Sequence, residues 1–300
     1  MAQSKLILLE GVPGAGKSTM GLRLQDFLEK QGITTRFWRE GDFDHPADFE
    51  GIACLSASGY QNFLSRYPDL AGFCAENLVI RGADHLLSYR KLQHNHPQLM
   101  PQALVDELSH FDVYDGLPMS EYCRLSLERW QDFQQATKDS DTVTLLECCL
   151  LQNPLTVLLA RHDAGLETVR RQVLAIAEMI RDLNPLVVYM SPQNVGAALE
   201  HVHAERPKEW ADFVIGYLTR QAYGQNHHLV GFEGVIYFYE MRQKLEIEIL
   251  RGLPLESVLV EHAVRNWERC NSEVVNFVGA HLPGRDGSKI LGPDASFFLH

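Results

Sequence analysis

A glycine-rich segment near the start of the chain has the residue types and spacing of a phosphate-binding loop. Its sequence, GVPGAGKS over residues 11–18, fits the pattern G-x-x-x-x-G-K-[ST] at every fixed position. Glycines let the backbone turn its N–H groups towards an anion, and the following helix presents the positive end of its dipole. In this pattern Lys17 reaches the β- and γ-phosphates and the Ser18 hydroxyl ligates Mg²⁺. We therefore expect a nucleoside triphosphate and Mg²⁺, with nucleotide contacts from Gly11, Pro13, Gly14, Ala15, Gly16, Lys17, Ser18 and Thr19.

The residues around this loop predict the setting that a phosphate loop needs. Residues 6–10 are an apolar run typical of a strand, and residues 18–30 have the periodicity of a helix that Gly32 ends. A guanine-reading N-K-x-D sequence and the transporter signature L-S-G-G-Q are both absent from the chain. The motif therefore predicts a nucleoside triphosphate, but it leaves open ATP or GTP and what is done with the nucleotide.

Four further apolar runs complete a predicted α/β fold. They lie at 34–38, 142–146, 186–190 and 258–260, and helical patterns separate them. Strands joined through helices form right-handed crossovers and a parallel sheet covered on both faces, here with five strands. We read one domain over 1–300, because no long linker or repeat interrupts it. Within it we predict a helical insertion at 43–141 between the second and third strands, a lid-like region at 195–225 and an irregular tail at 279–300.

Acidic residues follow several of the predicted strands. Glu40 and Asp42 come after the second strand, Glu147 ends the third, and Glu261 ends the last. Ligands of open parallel sheets bind at the carboxyl ends of the strands, where the loop at 11–19 also lies. We therefore expect these acids to lie on the same side of the sheet as the phosphate loop.

These features together resemble the nucleoside and nucleotide kinase superfamily, with thymidylate kinases and deoxynucleoside kinases as the nearest patterns. The words LILLEGVPGAGKST at 6–19 and NPLVVYMSP at 184–192 carry most of the resemblance, which extends at motif level over roughly 1–280. The resemblance implies a P-loop NTPase fold and an ATP- and Mg²⁺-dependent phosphotransferase. It also implies that the helical insertion covers the molecule that accepts the phosphoryl group.

The resemblance implies roles for individual residues. Such kinases place a base carboxylate after the second strand, which here is Glu40 or Asp42, and Lys17 assists transfer. They carry Glu-Arg-Ser after the third strand, where this chain has Glu147-Cys148-Cys149, so Glu147 matches the magnesium-linked acid and the arginine is missing. Ser18 and Glu147 are then the expected metal ligands. An arginine of the lid matches Arg206, and the loop after the last strand, which helps to hold the adenine, offers Arg265.

Two classes of function remain open at this stage. The first is a kinase that phosphorylates a hydroxyl or a phosphate of a nucleoside, a nucleotide or a specialised metabolite. The second is an ATP-hydrolysing switch that acts on a protein partner. They differ in whether ATP turnover depends on a small acceptor molecule or on another protein.

Composition excludes several other classes. A net charge of −12 over 300 residues argues against a general nucleic-acid surface. No uninterrupted apolar run reaches the roughly 18 residues of a membrane span. Six cysteines without a C-x-x-C pair indicate reduced thiols, and the absence of a signal-peptide pattern favours a cytoplasmic protein. The apolar helix predicted at 232–251 fits either the core or a homodimer face.

Overall fold

The computed structural model of this chain describes residues 3–261 and 267–282, which belong to two compact units. The sheet unit contains the described residues of Met1–Glu40 and Trp130–His300, and the inserted unit is Gly41–Arg129. The strands are β1 (Leu6–Gly11), β2 (Thr35–Trp38), β3 (Ala53–Ser56), β4 (Leu78–Arg81), β5 (Asp84–Leu87), β6 (Val143–Glu147), β7 (Leu186–Ser191) and β8 (Glu256–Glu261). The helices are α1 (Lys17–Lys30), α2 (Ala57–Arg66), α3 (Ala71–Glu76), α4 (Tyr89–Asn95), α5 (Gln102–Ser109), α6 (Met119–Thr137), α7 (Gln152–Leu155), α8 (Leu166–Ile180), α9 (Val195–Glu205), α10 (Lys208–Arg220), α11 (Ala222–Asn226), α12 (Gly231–Arg251) and α13 (Trp267–Ala280).

The sheet unit is built on five parallel strands in the order β2-β6-β1-β7-β8. The central strands β1, β6 and β7 are buried along their whole length. Strands covered on both faces are apolar without alternation, which is why these sequence runs are nearly continuous. The predicted α/β class and its five-stranded parallel sheet are confirmed.

Helices cover both faces of this sheet. Neighbouring residues of a strand point to opposite faces, so each strand contacts helices on both sides. Leu9 of β1 faces α1, where its side chain lies close to Gly21. On the other face, the Tyr189 hydroxyl of β7 donates a hydrogen bond to Glu246 of α12 at 2.5 Å. The next residue of β1 after Leu9 is Glu10, which lies beside Tyr189 in the strand register and therefore points to the α12 face.

The inserted unit corrects the prediction of an all-helical insertion at 43–141. Besides α2–α5 it contains an antiparallel sheet in the order β3-β5-β4 and its own apolar core. The strands β4 and β5 are joined by the two-residue turn Gly82-Ala83, where Gly82 has a φ of +55°. The strands of this sheet have only four residues each, too few to establish a two-residue period within a region of helical periodicity. Gly82 was the one residue here whose type could have indicated a turn between two strands.

The later part of the chain is helical between its strands. The region at 195–225 contains α9, α10 and most of α11, and the helix predicted at 232–251 is α12. The first two residues of the tail predicted at 279–300 belong to α13, and residues 283–300 lie outside the described ranges. Across the described ranges, no helix combines the length and apolar character needed to cross a membrane.

The contact between α1 and β2 generates a prediction about stability. A Cβ atom at Gly21 would lie 2.2 Å from Cζ of Phe37, whereas a Cβ at Gly216 of α10 would meet nothing within 4 Å. Alanine normally stabilises a helix by about 1 kcal/mol relative to glycine, but overpacking costs about 1–3 kcal/mol. We expect Gly21→Ala to lower the free energy of unfolding by up to about 2 kcal/mol and Gly216→Ala to raise it by about 0.5–1 kcal/mol. Urea unfolding measures both, and equal stabilisation by the two substitutions would contradict the packing argument.

Candidate functional site

The glycine loop between β1 and α1 presents backbone donors that lack acceptors within the helix. The glycines Gly11, Gly14 and Gly16 have φ values of +135°, +77° and +90°, which L side chains rarely adopt. Gly16 caps α1 and offers no side-chain acceptor to the first helical N–H groups, and the first turn has no acidic residue. Such N–H groups have no partner in the helix, and the dipole there is positive. The local geometry fits an anion.

Lys17 places a buried positive charge directly behind this loop. Its Nζ donates to the carbonyl oxygens of Gly11 at 3.0 Å and Val12 at 3.1 Å, and only 5% of the residue is exposed. Burial alone would lower the pKa of Lys17, but the neighbouring Cys148, Glu40 and Glu147 outweigh it and raise that pKa above its ordinary value. The ammonium group is therefore protonated at neutral pH.

Glu147 lies beside the loop because β6 pairs with β1. The register sets Glu147 opposite Leu9, and the Ser18 hydroxyl donates to Glu147 Oε1 at 2.7 Å. The other oxygen, Oε2, is buried and accepts no hydrogen bond from a residue in the described ranges. Burial raises the pKa of Glu147, and the nearby Lys17 opposes this shift. A buried carboxylate oxygen without a donor is suited to hold a cation.

Glu40 and Cys148 complete the cluster around Glu147. The Cys148 thiol donates to Glu40 Oε2 at 3.3 Å, and Gln152 Nε2 donates to Glu40 Oε1 at 2.6 Å. Cys148 has a φ of +69°, which is strained for a residue with a side chain. Burial raises the pKa of this thiol well above its ordinary value, and the adjacent Glu40 adds to the shift. This geometry of Cys148 could not be predicted from its place in the sequence after Glu147.

Glu10 is a second residue that sequence reasoning missed. It is fully buried, and its two carboxylate oxygens accept the N–H groups of Leu150 at 2.7 Å and Gln152 at 3.0 Å. Burial raises the pKa of Glu10 to about 7, while these hydrogen bonds act in the opposite direction. The sequence feature that could have indicated this residue is an acid inside an otherwise apolar strand, immediately before the glycine loop.

A buried ion pair lies on the same face of the sheet as Glu10. Arg242 Nε lies 3.0 Å from Glu246 Oε1, and neither side chain is more than 1% exposed. The Arg242 Nη1 donates to the Thr156 hydroxyl at 2.7 Å, and its guanidinium stacks on the Tyr239 ring. These contacts tie α12 to the turn of π-helix at Thr156–Arg161 that follows α7. They were also not anticipated from the sequence.

Of the other expected site residues, Arg206 is not joined to this cluster by a contact in the described ranges. Arg206 follows α9 and is exposed, with its guanidinium carbon 5.9 Å from the Trp210 ring, and no contact in the described ranges links it to Lys17 or Glu147. Asp42 belongs to the inserted unit, where its carbonyl accepts the His45 N–H. Arg265 lies outside the described residues.

The remaining residues of the glycine loop differ in exposure. Ala15 is buried, Pro13 is half-buried and Thr19 is exposed in the first turn of α1. Two neighbours of the loop were not predicted. A Cβ at Gly14 would lie 2.7 Å from Val202 of α9, and a Cβ at Gly16 would lie 2.9 Å from the Trp267 ring. Both glycines are therefore required by close packing as well as by φ.

Comparison with known proteins does not assign this chain to a family. No protein-family model matches the chain, and a search of the curated proteins found no match. The chemistry of the site is therefore defined by the cluster itself, which combines backbone donors, a buried lysine, and the acids Glu40 and Glu147 beside a hydroxyl.

Glu10 generates a prediction about the pH dependence of stability. Its pKa is about 7 in the folded chain against an ordinary 4.5, so the folded chain binds this proton more tightly than the unfolded chain. The free energy of unfolding should therefore fall as pH rises from about 4.5 to 7, by up to about 3 kcal/mol from this group. We expect Glu10→Gln to flatten this fall in urea unfolding series.

The matched control is Glu29→Gln, because Glu29 is an exposed glutamate of α1. It should leave the slope of stability against pH unchanged. Parallel pH profiles for Glu10→Gln and the wild type would refute the assignment of the proton to Glu10.

Proposed function

We propose that this chain is an ATP- and Mg²⁺-dependent small-molecule kinase. The observation that carries the proposal is the pairing of Ser18 with Glu147 beside a glycine loop whose carbonyls hold the buried Lys17. This combination provides a site for phosphates and a site for a cation at the carboxyl ends of β1 and β6.

The loop and Lys17 are assigned to the triphosphate. The N–H groups at the start of α1 and the Lys17 ammonium stabilise the negative charge that spreads over the transferred phosphoryl group. Because these donors are fixed by the backbone, they need little reorganisation during the reaction. Bound ATP supplies the γ-phosphoryl group.

Ser18 and Glu147 are assigned to the magnesium ion. Mg²⁺ prefers oxygen ligands, and the Ser18 hydroxyl and the unpartnered Glu147 Oε2 are both oxygens at the loop. The ion would neutralise phosphate charge and orient the phosphates. The donor set therefore fits the group that the proposed activity requires.

Glu40 is assigned as the base that accepts the proton of an acceptor hydroxyl. Its Oε1 is held by Gln152, which orients the carboxylate, and Oε2 is the oxygen next to Cys148. A phosphoryl transfer needs little covalent help, so positioning of the hydroxyl is the main contribution of this residue. Between the two acids that the sequence left open, Glu40 is the one in contact with the cluster.

A screen of acceptors tests the activity. Purified chain, ATP and Mg²⁺ are incubated with nucleosides, nucleoside monophosphates and hydroxylated natural products, and products are identified by mass spectrometry. A product heavier by one phosphoryl group supports the proposal and names the acceptor. ATP turnover that requires a protein partner and no small acceptor would overturn it in favour of a switch.

Lys17→Ala tests the phosphate site. Removing this buried donor should lower kcat by at least about 10²-fold, as loss of one charge-stabilising donor does in other enzymes. Lys30→Ala is the matched control, because Lys30 is an exposed lysine at the far end of the same helix and pairs with Asp26. Acceptor phosphorylation should be unchanged in the control. Full activity in Lys17→Ala would contradict the proposal.

Glu40→Gln and Asp42→Asn test the choice of base. Both substitutions remove one charge and keep the approximate size of the side chain. Loss of a general base costs about 10²–10⁴-fold, so kcat should fall by that factor in Glu40→Gln with KM for ATP little changed. Asp42→Asn should have a much smaller effect. A larger loss in Asp42→Asn, measured on the same acceptor, would reverse the assignment.

A further inference from the structure

The Cys148 thiol lies close to two carboxyl groups, those of Glu147 at the end of β6 and of Glu40 after β2. One ligand atom from each of Glu40, Glu147 and Cys148 lies within 4.8 Å of the others, and Cys148 Sγ is 3.3 Å from Glu40 Oε2. Donors around a tetrahedral zinc ion at ordinary Zn–S and Zn–O lengths are about 3.3–3.8 Å apart. A small movement of the side chains would therefore bring the three donors to coordination distance.

The neighbours of this cluster already fix one oxygen of each carboxylate. Ser18 holds Glu147 Oε1, and Gln152 holds Glu40 Oε1. Partners of this kind orient the ligands in metal sites. The remaining oxygen of Glu147 is buried in a residue that is only 3% exposed, and no described residue donates to it. A buried carboxylate oxygen left in this way is costly unless a cation meets it.

The backbone at Cys148 is a separate observation. Its φ of +69° is maintained by hydrogen bonds on both sides, from Cys148 N–H to Leu9 O at 3.0 Å and from Asn153 N–H to Cys148 O at 2.9 Å. Strained backbone of this kind occurs preferentially where a side chain must be held for a ligand. Here the strain accompanies a thiol directed at Glu40.

We infer that Glu40, Glu147 and Cys148 form a binding site for one thiophilic divalent cation of the Zn²⁺ class. Thiolate sulfur selects such ions, whereas Mg²⁺ takes oxygen ligands. On binding, the S–H bond of Cys148 breaks, a sulfur–metal bond forms and the proton passes to solvent, with no change of oxidation state. The ligands then carry three negative charges, which the ion and Lys17 neutralise together.

The site consists of protein side chains alone and does not rest on the proposed kinase activity. Where that activity is present, an ion bound here occupies Glu147 and Glu40. Zn²⁺ is then expected to compete with Mg²⁺ and to inhibit phosphoryl transfer.

Zinc binding to the full chain in the absence of nucleotide tests the inference. The chain is stripped with a chelator and titrated with Zn²⁺ alone, with a chromophoric chelator as competitor, and the bound ion is examined by X-ray absorption. We expect one ion per chain with one sulfur neighbour at about 2.3 Å and oxygen in the rest of the shell. A chain that binds no Zn²⁺, a shell without sulfur, or displacement by an equal concentration of Mg²⁺ would overturn the inference.

Substitution of the two adjacent cysteines identifies the sulfur. Cys148→Ser should remove the sulfur neighbour and weaken Zn²⁺ binding by at least about tenfold, a loss typical of altered metal sites. Cys149→Ser is the matched control, since Cys149 is equally buried and outside the cluster, and it should keep the sulfur neighbour. A sulfur neighbour that survives Cys148→Ser would refute the site.

A third variant covers the case in which Cys148→Ser fails to fold. Glu40→Gln alters a side chain at an exposed residue and should weaken Zn²⁺ binding while the sulfur neighbour remains. Unchanged affinity in that variant would refute the assigned ligand set. A chain that binds Zn²⁺ as expected but phosphorylates no acceptor refutes the proposed function alone, and the opposite result refutes this site alone.

Discussion

The burial of charge at the carboxyl end of β1 is the constraint on which the site depends. Lys17 is almost fully removed from water, and such a cation is stable only when hydrogen bonds and opposite charges surround it. Two carbonyls of the glycine loop and the acids Glu40 and Glu147 provide this environment. The start of this loop requires a glycine, because a Cβ at Gly11 would lie 2.3 Å from the carbonyl oxygen of Met190.

The face of the sheet behind the loop is held by a second set of buried polar contacts. Glu10 joins β1 to the segment after β6 through the N–H groups of Leu150 and Gln152. Tyr189 joins β7 to Glu246 of α12. Hydrogen bonds in a low-dielectric interior are directional, so these contacts fix the register of the elements in a way that apolar packing alone does not. Gln152 links these contacts to the candidate site, because its backbone N–H donates to Glu10 and its side chain donates to Glu40.

The sequence contained enough to predict the sheet and the loop, because both depend on local patterns. Buried parallel strands are continuous apolar runs, and the phosphate-loop motif fixes four positions within a span of eight residues. The thiol geometry at Cys148 depends instead on the pairing of β6 with β1 and on a backbone angle that no residue type announces. The strands of the inserted unit were missed because four residues are too few to show a period. Arg206 was predicted as a site residue only from the resemblance to kinases. Its exposed position depends on tertiary structure, which the local sequence does not reveal.

The thiol at position 148 bears on the charge balance of the site. It directly follows Glu147 and donates a hydrogen bond to Glu40 as a neutral S–H group. Lys17 lies close to the carboxyl groups of Glu40 and Glu147, while Arg242 is paired with Glu246. Several acidic groups around one buried cation are unfavourable at low dielectric unless further positive charge is bound. The inferred site provides for that charge, because a divalent cation can be held there through oxygen if it is Mg²⁺ and through sulfur as well if it is Zn²⁺. In the inferred site, the thiol at position 148 therefore decides which ions compete for Glu147.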